Sequence, residues 1–359
     1  MGPLRGSLLA FVLYDVAEQI QIDKVCALVG AQPAQPGFKH PAQEYVRFER
    51  PPAVEIPQPI VLETGDQFQV RIKYFDYGVI SIELMLDFEV TWTELVQLSN
   101  RWLLAPEIER RAAELMRSRL ERVKAAMTSA HPTQLSEDYY VIHLKEALGE
   151  SGRPMTAPAL VAQHGVEIAQ IVRGESQALS DTECAEVLHS SLSYYPNDLL
   201  VTGWAAALVY DTPEAARPTI QLLEYANTQL LEFRHYDEML TRVLEKVYKM
   251  LERRGSLLRR WRMAREAGSL NTLRLDVTEL TERTDNAIKF VSDMFYARVH
   301  RMAANRLGVT DYRNLVEEKL RTAGELYEFM TNEFHQGRAF VLEALVVAIL
   351  VIELVHLFR

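Results

Sequence analysis

From Ala339 to Phe358 the chain reads AFVLEALVVAILVIELVHLF, bracketed by Arg338 and Arg359. Glu343, Glu353 and His356 are its only ionisable side chains. At about 1.5 Å per residue, a helix of this length is roughly 30 Å long, the thickness of a bilayer's hydrocarbon core. A helix apolar on all sides can also be the buried centre of a bundle. An acid at the bilayer centre costs roughly 2.5–3.5 kcal/mol. Here both glutamates lie within about two turns of an end, and Ala344 to Ile352 carries no polar side chain. The stretch predicts one transmembrane helix over 338–359, a tail anchor with the soluble body on the cytoplasmic side. Glu343 and Glu353 become intramembrane polar residues. Glu353 is expected to face a partner helix, which favours a homo-oligomer.

The chain has 359 residues, enough for two domains. Its net charge of −10 argues against direct nucleic-acid binding as the main activity. Cys26 and Cys184 form neither a CxxC motif nor a disulfide framework, which suits a reducing compartment. The apolar run Leu8 to Tyr14 is followed by Asp15 and Glu18 without a small-x-small cleavage site, so it reads as a first strand, not a signal peptide.

Residues 1–210 predict an α+β domain. Ser7 to Tyr14 is a strand and Ala17 to Val29 a helix. Phe68, Val70, Ile72 and Tyr74 alternate, and Val79 to Phe88 follows the turn Asp76-Tyr77-Gly78, a hairpin pattern. Thr91-Trp92-Thr93-Glu94 has capping-box form and starts a helix to Leu103; a second runs from Pro106 to about Met127. Tyr139 to Leu144 and Leu199 to Tyr210 read as strands, with Trp204 and Tyr210 as core.

Residues 211–337 change period. Ala226, Leu230, Phe233, Asp237, Leu240, Leu244, Val247 and Leu251 alternate steps of four and three. Leu270 to Met294 and Val316 to Phe334 do the same. Such spacing predicts three long helices in an antiparallel coiled coil, with Asp237 as a register-fixing polar contact. Gly308 suits a helix C′ position and Thr310 a cap. The connection RRGSLLRRWRMAREA, Arg253 to Ala267, then falls at the membrane end. Arg253, Arg254, Arg259, Arg260, Arg262 and Arg265, with Trp261, are the candidate contact to anionic headgroups, each arginine gaining about 1 kcal/mol. The same residues could hold RNA phosphates and stack a base, or form a solvated face.

Three motifs carry a resemblance. Tyr74-Phe75-Asp76-Tyr77-Gly78-Val79-Ile80, then Asp211-Thr212-Pro213, then Leu342-Glu343 with Val351-Ile352-Glu353 occur in the order found in the family named "required for meiotic nuclear division". The chain resembles a bacterial-type member with an extended coiled-coil region. The resemblance implies a C-terminally anchored protein with no established enzymatic activity. Mitochondrial members are associated with translation, as tethers at the inner membrane.

No GxxxxGK[ST], GxGxxG, HExxH or GxSxG motif occurs, and no histidine stands at metal-ligand spacing with a cysteine. No catalytic, cofactor-binding or metal residue is therefore assigned. His143, His235 and His300 read as structural. The leading expectation is a membrane-anchored scaffold whose α+β domain binds a protein or ribonucleoprotein partner. The alternative is a homo-oligomeric ion channel with Glu343 and Glu353 lining its pore. That reading resembles cobalt/magnesium channels of the CorA type, although one span replaces two and the Gly-Met-Asn tripeptide is missing.

Overall fold

Period-two alternation in the first part of the chain builds one large sheet. The computed structural model describes residues 3–34, 46–48, 50–149, 154–252, 268, 270–275, 277–279, 281–282, 288–290 and 294–357. The strands are β1 (Leu4–Ile20), β2 (Gln32–Pro33), β3 (Val46–Phe48), β4 (Ala53–Glu55), β5 (Ile60–Val61), β6 (Gln67–Tyr74), β7 (Val79–Val90), β8 (Met127–Glu146), β9 (Ser191–Leu192), β10 (Leu199–Thr202), β11 (Ala206–Tyr210) and β12 (Ile288–Phe290). The helices are α1 (Ile22–Val29), α2 (Trp92–Leu103), α3 (Pro106–Val123), α4 (Ala157–Arg173), α5 (Asp181–His189), α6 (Pro213–Glu252), α7 (Met294–Leu307) and α8 (Val309–Leu357). The main sheet runs β2-β4-β6-β7-β1-β8-β11-β10-β9, with β5 on β6. All its pairings are antiparallel except β8 with β11.

The two faces of β1 differ in chemistry. Leu8, Ala10, Val12 and Tyr14 point into an apolar core shared with residues of α1 to α5. Leu9, Phe11 and Leu13 are buried on the other face, with Ser7 and Asp15 at its ends. There β6, β7 and α6 contribute charge. The capping box is present: Thr91 Oγ1 accepts from the Glu94 amide at 3.4 Å, and Glu94 Oε2 accepts from the Thr91 amide at 2.8 Å. The β6–β7 hairpin also forms, turning on Gly78 at φ +100°.

Several expectations change. The first strand does not yield to a helix at Ala17; it continues to Ile20, because Ala17, Gln19 and Ile20 pair with β8. Leu199 to Tyr210 is not one strand. It folds back at Gly203 into β10 and β11. Trp204, expected in the core, lies in that turn and is 63% exposed.

The chain divides into two compact units, Met1–Phe233 with Arg283–Asp311 and Arg234–Glu282 with Tyr312–Arg359. The fold is mixed α/β on a large sheet. The expected long coiled coil is not evident among the described residues. Leu230 and Phe233, the start of its first seam, are buried within the sheet unit. The second seam is interrupted at Ile288–Phe290, a strand paired with Val46–Phe48, before a separate helix starts at Met294. What remains is a small cluster of Leu244, Val247, Leu270, Ala323 and Met330. Asp237, in that helical unit, is held by Lys319, whose Nζ also lies 2.6 Å from Thr241 Oγ1. Gly308 does take a left-handed φ of +83° after α7, but Thr310 falls inside α8 and its hydroxyl bonds Asn305 Oδ1 at 2.7 Å.

The tail anchor is overturned. No helix among the described residues is long and apolar enough to cross a membrane. The C-terminal apolar run is not an independent span. It is the end of the 49-residue helix α8, whose earlier turns are charged, and it contains Glu343 and Glu353. The single-pass, cytoplasmic-side placement loses its support, and so does the membrane half of both the tether and the pore.

Candidate functional site

The hairpin register makes a charged row. Gln67, Gln69, Arg71 and Lys73 share one face of β6, because alternate residues of a strand do. Gln69 lies opposite Met85, Arg71 opposite Glu83, and Lys73 opposite Ser81. Lys73, Ser81 and Glu83 are buried, as is Glu224 on α6.

Burial of four such groups demands pairing. Lys73 Nζ contacts Glu83 Oε2 at 2.9 Å and forms a second ion pair with Glu224. Ser81 Oγ donates to Glu224 Oε1 at 2.7 Å. Arg71 donates from NH1 to Glu83 Oε1 at 2.7 Å. Lys73 Nζ also stands 5.4 Å from the Phe11 ring centroid, a cation–π distance. Two cations thus meet two carboxylates. Burial alone would lower the Lys73 pKa, but the adjacent Glu224 and Glu83 carboxylates prevail and raise it. Burial would raise that of Glu83, yet the charges of Lys73 and Arg71 prevail and lower it.

One end of this row reaches solvent. The β4–β5 loop, carrying Ile56, Pro57 and Pro59, lies beside Gln69, Arg71, Glu83 and Met85 and leaves a cleft of about 340 Å³. That volume is at the small end of ligand-pocket sizes, roughly 300–1,000 Å³. The Arg71 side chain is 43% exposed, whereas that of Glu83 is 3% exposed. The cleft therefore presents an arginine whose position is fixed from behind.

A second polar cluster lies further along α6. The hydroxyls of Tyr77 and Thr228 are 2.8 Å apart, and burial pushes the Tyr77 phenol well above its ordinary pKa. His300 Nε2 lies 2.9 Å from Gln229 Oε1 and its ring 5.7 Å from that of Tyr225. Burial lowers the His300 pKa from 6.5 to about 4. The unfolded chain thus takes up this proton near pH 6.5 and the folded chain only near 4. Stability is fully present above about pH 6.5 and falls as pH drops through that window, by about 3 kcal/mol from this group. Asp211 acts oppositely, since burial raises its carboxyl to about 6. The clean readout is the difference between wild type and His300→Gln in urea unfolding at pH 7 and pH 4.5. The wild type should lose more stability than the variant; equal losses would refute the assignment.

Other expected residues are placed as follows. His143 is buried in β8, its Nε2 3.0 Å from the Asp211 carbonyl oxygen, a structural role. His235 lies on α6 in the helical unit, its ring 6.1 Å from Tyr236. Arg253, Arg254, Arg259, Arg260, Trp261, Arg262 and Arg265 lie outside the described residues. Glu343 and Glu353 lie within the α8 backbone. Neither His143 nor His235 lines the cleft, and the cleft residues carry no sequence motif. The legible signal was the cross-strand pairing that the hairpin turn imposes on Arg71, Lys73, Ser81 and Glu83.

Comparison with known proteins places the chain in a different family from the one its motifs resembled. Residues 5–216 match the family described as "Uncharacterized protein MJ0711, N-terminal domain", and the chain belongs to that family. The uncharacterized protein MJ0711 of Methanocaldococcus jannaschii is 18% identical over 188 residues, which cover 52% of this chain and 58% of that protein. The match thus spans less than two thirds of that relative. No solved structure matches. The resemblance to the "required for meiotic nuclear division" family is overturned by these matches, and its motifs have local explanations. Gly78 supplies a positive-φ turn, and Asp211-Thr212-Pro213 starts a helix, with Asp211 Oδ1 accepting from the Thr212 amide at 2.7 Å.

Proposed function

We propose that the chain is a partner-binding protein that recognises a protein through the Arg71 cleft. The supporting observation is the preformed floor of that cleft: Arg71 is tied to Glu83, Glu83 to Lys73, and Lys73 to Glu224. A charge held before the partner arrives loses little conformational freedom on binding, which favours recognition. This keeps the scaffold expectation without its membrane anchor.

The test is site-specific photocrosslinking of the full chain. Ile56, 75% exposed on the cleft rim, is replaced by a benzophenone amino acid. A discrete protein adduct is expected in the native lysate, and it should vanish when Arg71→Glu is added. An adduct that survives Arg71→Glu, or no adduct, defeats the proposal.

A further inference from the structure

We propose that the Arg71 cleft takes a carboxylate carried on a short apolar chain. This rests on the recognition reading above and names the chemistry of what is recognised.

Three observations converge on it. Arginine offers five N–H donors in a planar fork suited to a carboxylate. Among the described residues, Arg71 makes one hydrogen bond, from NH1 to Glu83. Its remaining donors belong to a side chain that is nearly half exposed at the cleft. The apparent obstacle is Glu83, a like charge. Its carboxylate is almost wholly covered, lying between Arg71 and the Lys73 that it shares with Glu224, so it presents little charge to the cleft. The exposed charge of the pair is therefore the cation.

The walls decide what accompanies the carboxylate. Ile56, Pro57, Pro59 and Met85 give apolar sides, and neither proline has a backbone N–H to donate. Gln69 stands beside Arg71 on the same strand face and makes no side-chain hydrogen bond among the described residues, so its amide can donate to the second carboxylate oxygen. A cleft of about 340 Å³ suits a few carbons, not a large cofactor. Two sources fit this chemistry: the C-terminal carboxylate of a protein partner ending in an aliphatic residue, or a free aliphatic acid.

The test uses the intact chain and three probes, hexanoate, hexanamide and N-acetyl-alanyl-leucine with a free carboxylate, followed by NMR titration. Hexanoate should bind at least tenfold more tightly than hexanamide. Arg71→Met should weaken hexanoate about tenfold or more, as expected for loss of a charge-assisted contact. Gln69→Glu keeps Arg71, Glu83 and Lys73 in the chain, adds a like charge that repels the ligand and competes for Arg71, and should do the same, which guards against a fold defect in the first variant. Tighter binding of the dipeptide identifies a chain terminus, and tighter binding of hexanoate a free acid. Equal affinity for hexanoate and hexanamide, no effect of either substitution, or no binding at all would overturn the proposal. If photocrosslinking at Ile56 still captured an Arg71-dependent partner, only the carboxylate would fall.

Discussion

Gly78→Ala is expected to abolish the native fold or to cost more than about 4 kcal/mol, the range reserved for a specific steric lesion. Gly78 closes the β6–β7 hairpin at φ +100°, a conformation L side chains rarely adopt. A Cβ there would lie 1.6 Å from the Ala17 carbonyl oxygen, a backbone atom with no rotamer to yield. Nor can the backbone withdraw, since the Val16 amide donates to the Gly78 carbonyl oxygen at 3.1 Å. Gly65→Ala is the control. Its φ is also positive, at +85°, but the space around it is open. That change should cost only about 1–2 kcal/mol, the strain of the left-handed conformation alone. Urea unfolding of the two variants separates the cases. Similar losses would show that contact with β1 does not fix the hairpin.

Lys73→Met is expected to destabilise the chain by about 3–5 kcal/mol, because it takes the paired cation from the buried Glu224 carboxylate and leaves Glu83 with Arg71 alone. The lost ion pair is not itself the main term. Replacing a whole buried pair by apolar residues is often near neutral, whereas removing one partner leaves an uncompensated charge. The double variant Lys73→Met/Glu224→Leu should therefore recover part of the loss, leaving Glu83 with Arg71. The pH response has a definite sign. In the wild type the charge of Lys73 helps hold the Glu83 carboxyl below its ordinary range, a contribution that is lost as the pH falls and that the variant lacks, so the variant's deficit should shrink as pH falls towards 4. A deficit that is constant from pH 7 to pH 4.5, or a double variant worse than the single, would show that packing of the lysine stem dominates instead.

What the sequence disclosed was mostly local. The Thr91–Glu94 box and the Asp76–Gly78 turn are written in consecutive residues and appear as read. Pairing decided the rest. Ala17 to Ile20 contains good helix formers, yet β8 captures it as strand, a tertiary override of local propensity. The heptad reading runs through Ala287 and Val291, whereas Ile288 and Phe290 between them alternate with the period of a strand, and pairing with Val46–Phe48 selects the strand. The C-terminal run reads as a span from its apolarity, but it is the end of the charged helix that begins at Val309, and no helix among the described residues is apolar enough to cross a membrane. The cleft was half legible. Arg71, Lys73, Ser81 and Glu83 follow from hairpin register, but Glu224 lies 151 residues beyond Lys73 and carries no signal of that contact.

That separation sets an order of events during synthesis. At about 5–20 residues per second, roughly 8–30 s pass between emergence of Lys73 and of Glu224. Until then Ser81 lacks its acceptor and Lys73 has one carboxylate instead of two. The β6–β7 hairpin can pair early, but its charged face is completed only when α6 arrives. The family match ends at residue 216, eight residues before Glu224. A fragment cut at that limit would hold every strand of the large sheet and still lack the residue that neutralises its interior.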